Sequence, residues 1–122
     1  MKIVQIVDAL PSLQKLAKQD LSIKKLYKIS KLMSKLDLEL AFYNEQRNKI
    51  CTQYCDVADG KYVAREADVA KFNAAMSDLL NLEVQCDVSE VIIDDSENIR
   101  LSYNDIVLIK GFVSIESFED GV

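Results

Sequence analysis

Apolar positions recur at a strict 3-4 spacing through Leu26, Ile29, Met33, Leu36, Leu40, Tyr43, Arg47, Ile50 and Tyr54, with Arg47 the one polar member. That is the a/d seam of a heptad. Neither glycine nor proline interrupts residues 21–55, so the pattern predicts one long helix there, N-capped by Asp20. Upstream, residues 2–7 form an apolar run too short to type as strand or helix. A proline inside a continuous helix removes a hydrogen bond and clashes with the preceding turn. The spacing therefore predicts a short helix that starts at Asp8, takes Pro11 into its first turn and ends near Lys18. Downstream, Asp59-Gly60 marks a turn and residues 61–64 are a short extended piece. Val69, Phe72, Met76 and Leu79 predict a second helix over about 66–81. The short connection makes an antiparallel hairpin of these two helices the economical arrangement.

The last third changes character. Residues 84–86 and 88–93 are rich in β-branched side chains and predict strands. The polar run Asp94-Asp95-Ser96-Glu97-Asn98 predicts a turn, with 99–101 returning as a hairpin partner. Ser102-Tyr103-Asn104-Asp105 has the form of a capping box with aspartate at its last position. It predicts a short helix stopped by Gly111, then a strand over 112–115 and a frayed tail from Ser117. The fold class expected is α+β, mainly α: a long antiparallel helical hairpin with a small C-terminal β element. One domain covers 1–122, with a helical part over about 8–81, a small α/β part over about 82–116 and the tail 117–122.

Length sharpens this picture. A 35-residue helix is about 52 Å long, whereas a compact domain of this size is roughly 35 Å across. The second helix covers only ~24 Å of it. The short N-terminal helix can fold back over part of Leu26, Ile29, Met33 and Leu36; the remainder of this interaction seam is expected to face a partner chain, a homodimer being the simplest case, unless the helix breaks near Asp37. Arg47, within the same seam, reads as a structural polar residue that fixes register through a buried carboxylate partner such as Glu83.

Composition narrows the chemistry. The chain has 122 residues, 15 bases against 20 acids, three cysteines and no histidine. Without histidine there is no Ser-His-Asp or Cys-His catalysis and no histidine metal ligand. The odd cysteine count argues against a disulfide framework. No run reaches the roughly 20 apolar residues of a membrane span, and the first residues lack a signal-peptide pattern. A cytoplasmic location and no membrane partner are expected. The charge is split: residues 1–50 hold ten bases and five acids, and 51–122 hold five bases and fifteen acids. Lys24, Lys28, Lys31 and Lys35 stripe the outer face of the long helix as a candidate electrostatic surface. Overall acidity and the lack of interleaved aromatics beyond Tyr27 disfavour nucleic acid.

Two other groups of residues carry weaker signals. Cys51 and Cys55 share a helix face and Cys86 lies on a predicted strand, but a zinc site would want paired close spacings. Asp56, Asp59, Glu66 and Asp68 lack the alternating spacing and central glycine of a calcium loop. No metal, cofactor or catalytic residue is assigned.

The run from Leu21 to Leu32, the stretch Phe42-Tyr43-Asn44-Glu45-Gln46-Arg47, Gly60, the Phe72 helix ending Leu79-Leu80-Asn81-Leu82-Glu83-Val84, and Leu101-Ser102-Tyr103-Asn104-Asp105-Ile106 together resemble a group of small uncharacterised proteins of phages and prophages of Gram-positive bacteria. The resemblance spans roughly residues 10–115. It departs at Cys55, where that pattern has a glycine or a polar residue. It implies a phage accessory or assembly protein without known catalytic residues, acting in the host cell or with the virion. The function expected is a non-enzymatic protein-interaction module. The alternative is a phage-encoded inhibitor of a host or defence protein, its acidic C-terminal part mimicking nucleic acid.

Overall fold

A computed structural model describes residues 1–86, 88–94 and 99–116, with the side chains of Asp94 and Glu116 excluded. The predicted turn over 95–98 and the tail 117–122 lie outside the described residues. The fold is α+β and mainly α. Helix α1 spans Ile3–Ala17, α2 spans Ile23–Tyr54 and α3 spans Val69–Leu80. Strands β1 (Cys55–Ala58) and β2 (Lys61–Ala64) join α2 to α3, with a 3₁₀ turn at Glu66–Asp68. Strand β3 (Val91–Asp94), helix α4 (Tyr103–Ile109) and strand β4 (Val113–Glu116) follow.

The long helix is continuous, 32 residues without a break near Asp37. Its N-cap is Ser22, whose hydroxyl accepts from the Lys25 N–H at 3.4 Å, and not Asp20. At about 48 Å it outruns any one neighbour, and two helices share the work of covering it. Helix α1 lies along its first half and α3 along its second. The two meet end to end, where Ile3 N–H donates to the Leu82 carbonyl at 3.1 Å and Val84 N–H to the Met1 carbonyl at 2.8 Å. The Met1 ammonium adds an ion pair to Glu83 at 3.0 Å.

This arrangement corrects the reading of the seam. Ile29 and Leu36 are fully buried, and Leu26 and Met33 pack partly buried against the same core, which α1 and the C-terminal unit supply from within the chain. The buried stripe of α2 is Ile29, Leu32, Leu36 and Leu40. It follows the 3.6-residue period of a straight helix more than the 3.5 of a supercoil, which is why Leu32 belongs to it. Arg47 is exposed. The single layer of α3 over this half of α2 leaves it open to water, and it needs no buried partner.

Helix α1 starts at Ile3, five residues before the expected Asp8, with Pro11 inside it. The Gln5 side-chain oxygen accepts from the Lys2 backbone N–H at 2.7 Å and closes the N-terminus. Pro11 sits on the exposed face, so the Val7 carbonyl loses its helical donor without disturbing the buried stripe of Ile3, Ile6, Ala9, Leu13 and Leu16. Burial of five such side chains outweighs one missing hydrogen bond.

The C-terminal part is a βαβ unit. Strands β3 and β4 pair in parallel, Val91 opposite Val113 and Ile93 opposite Ile115, with α4 as the crossover that parallel pairing demands. Residues 99–101 are not a strand, and the expected hairpin is replaced by this crossover. Val91, Ile93 and Val113 enter the core while Ile92 between them is 47% exposed, the alternation of a half-buried strand. The Gln19 side chain clips this unit to the α1–α2 loop, donating to the Arg100 carbonyl at 3.0 Å and accepting its N–H at 3.1 Å.

Candidate functional site

A groove of about 440 Å³ lined by a row of lysines lies between α2 and residues 88–92. Its position follows from local structure. The chain leaves α3, passes Cys86 and crosses α2 with the Cys86 thiol donating to the Lys35 carbonyl at 3.9 Å. By Ile92 it has reached Lys25, whose ammonium donates to the Ile92 carbonyl at 2.7 Å. The segment therefore runs against the direction of α2 and leaves a trough beside the lysine face. Lys25, Lys28, Lys31 and Lys35 line it from the helix, over an apolar base that includes Leu32 and Val91. Lys31 lies over the Tyr27 ring, 5.3 Å from its centroid, a cation–π contact that keeps an exposed aromatic along the rim. Lys28 makes no hydrogen bond or ion pair among the described residues. Glu90 is the one described acid in the lining.

Of the expected lysine stripe, Lys28, Lys31 and Lys35 line the groove and Lys24 does not; it lies on the same helix face one turn nearer the N-terminus. Lys25 takes its place, through its bond to β3. The other wall was not legible, because only the tertiary crossing of 88–92 brings it to α2. Leu26, Ile29, Met33 and Leu36 belong to the core beneath.

A second polar centre is structural. Asp105 closes the capping box of α4: its carboxylate accepts the Ser102 N–H at 3.1 Å while its own N–H donates to the Ser102 hydroxyl at 3.1 Å. The same carboxylate accepts from Lys15 Nζ at 2.8 Å and from the Ser12 hydroxyl at 2.7 Å. Lys15 first, then Ser12 and the Ser102 amide, hold its carboxyl far below the usual carboxylate range. The network locks α4 onto α1, and this acid is spent inside the fold instead of on a mimic surface. Asp87, Asp95, Glu97, Glu119 and Asp120 lie outside the described residues.

At the other end of α2, β1 and β2 pair antiparallel as a two-stranded ribbon, and Arg65 closes it. It bonds Asp68 at 2.9 Å and Asp56 at 3.2 Å and reaches the Gln53 carbonyl; Asp68 and then Asp56 raise its affinity for the proton. Cys51 and Cys55 are buried side by side. Burial, and then Cys51, push the Cys55 thiol above its ordinary value, the opposite of an activated nucleophile. Cys86 sits by Lys35, sixteen residues before Cys51 on α2 and so about 24 Å away along the helix. Among the described residues no three potential ligands gather to hold a metal, and no helix is long and apolar enough to cross a membrane.

No protein-family model, curated protein or solved structure matches the chain. The likeness to phage and prophage proteins rests on the residues quoted above alone.

Proposed function

We propose that this chain is a non-enzymatic protein-interaction module, a phage or prophage accessory or assembly protein as its sequence resemblance implies. The observation that carries the reading is the β1–β2 ribbon at the far end of the α2–α3 hairpin. Asp59 at φ 52° and Gly60 at φ 75° form the two-residue turn that matches strand twist. The register sets Val57 opposite Tyr62. Val57, 67% exposed, and Tyr62, 46%, share one face of the ribbon, while Val63, 53%, stands on the other beside Asp56. A two-stranded ribbon gains little from exposing such side chains to water, and exposed apolar clusters on a projecting element are the usual mark of a contact surface. A rigid helical pair with such a tip is suited to holding another protein at a distance from the core.

Site-specific photo-crosslinking in infected cells tests this. A benzophenone amino acid at position 62 should yield an adduct with a virion structural protein, and the same group at Tyr103, 83% exposed on α4, should not. Adducts at neither position, or equal adducts at both, refute the reading. Capture of a host nuclease at position 62 would replace assembly by inhibition of a defence protein.

A further inference from the structure

The groove beside the lysine face is independent of the ribbon, and its chemistry points to a different ligand. We infer that it is a docking site for an extended acidic segment of a partner protein, one that alternates carboxylate and apolar side chains. Three features select this chemistry. The rim is cationic: Lys28 has no partner among the described residues, Lys25 is held only by a backbone carbonyl and Lys31 only by an aromatic face. None of these three is neutralised by a described carboxylate, so each retains the capacity to meet one. The far wall presents the half-exposed Ile92 above a base closed by the buried Leu32 and Val91, and carboxylates alone would leave that apolar side chain wet. The volume of about 440 Å³ is that of a site for a few side chains, not of a duplex groove.

The spacing agrees. Lys25 to Lys31 spans about 9 Å of helix, the length of about three extended residues. One face of the segment then presents carboxylates to the lysine row while the other puts aliphatic groups on Ile92. A nucleic acid strand fits less well. Glu90 stands in the wall, the chain as a whole carries −5, and the one aromatic in the lining, Tyr27, is already covered by Lys31, whereas single strands are held by free stacking platforms.

The test uses the full chain and a fluorescein-labelled peptide of about ten residues alternating glutamate and leucine, read by anisotropy near physiological salt. Binding is expected, with loss of roughly tenfold or more in the Lys28→Glu/Lys31→Glu variant and a comparable loss in Ile92→Asp on the opposite wall. Tyr62→Lys at the ribbon should leave the affinity unchanged, so failure here and failure of the ribbon reading are told apart. A peptide with serine in place of leucine should bind more weakly. Equal binding of the serine peptide, indifference to both groove variants, or tighter binding of an oligothymidylate of equal charge would each overturn the proposal. Circular dichroism of the variants, all at exposed positions, confirms that any loss is local.

Discussion

Whether Leu36 belongs to an internal core or to a seam between chains can be decided by one substitution. Leu36 is 1% exposed at the middle of the stripe that α1 and the βαβ unit cover. Leu36→Ala removes three carbons from that core. At about 0.8 kcal/mol per buried methylene the transfer loss alone is ~2.4 kcal/mol. If about 40 Å³ of the vacated space stays open, the cavity adds ~1 kcal/mol at about 24 cal/mol per Å³. The expected cost is therefore about 3–4 kcal/mol, a large share of the roughly 5–15 kcal/mol that holds a domain folded. Urea unfolding followed by far-UV circular dichroism measures it. With a slope of about 1–3 kcal/mol per molar urea, the midpoint should fall by roughly 1–3 M. Leu38→Ala, two residues on and 77% exposed, should change stability by less than about 0.5 kcal/mol. The decisive control is concentration. An intrachain core gives the same shift at low and high protein concentration, whereas a seam between copies makes the midpoint climb with concentration. A cost below about 1 kcal/mol, or a shift that depends on concentration, would refute the assignment.

Three further outcomes follow from local geometry. Lys15, Ser12 and the Ser102 amide hold the Asp105 carboxyl below its unfolded value of about 3.9, so its contribution is complete above that pH and is lost as pH falls through the folded value; the melting temperature of the native protein should drop below about pH 4, and Asp105→Asn should be less stable at neutral pH and lose this part of the acid dependence. Gly60→Ala meets no atom within 4 Å, so its cost in urea unfolding should be purely conformational, about 1–2 kcal/mol from the left-handed φ; a cost near zero would mean the turn changes type. Pro11→Ala restores a donor to the Val7 carbonyl on an exposed helix face and should raise the midpoint by about 1–2 kcal/mol of stability, and a loss of stability would show that the proline is favoured by its stiffness in the unfolded chain.

Much of the helical architecture was legible from spacing. The expected helix over 21–55 is α2 at 23–54, because an uninterrupted seam of that length has no other solution. The Ser102–Asp105 box and Gly111 bracket α4 as read, since capping is a local transaction between neighbours. What escaped is non-local. Val91 and Val113 pair across a crossover, and nothing in either short run names its partner or the direction of pairing. Pro11 points to a helix start, but propensity is a weak prior and the burial of Ile3 and Ile6 overrides it. The lysine face was visible in the sequence, yet only the passage of 88–92 across it makes a groove. The ribbon is half legible: Asp59-Gly60 marks the turn and residues 61–64 an extended piece, but nothing local marks Cys55–Ala58 as the partner strand.

Helix α2 is a single member shared by both surfaces. Lys28 in the groove and Tyr54 at the base of the ribbon are 26 residues apart on one unbroken helix, about 39 Å. The joint between α1 and α3, two backbone hydrogen bonds beside it, acts as a splint over its middle. Over that ~39 Å lever a tilt of about 5° amounts to ~3.4 Å at the ribbon, so the splint at the middle of α2 bears directly on where the tip points.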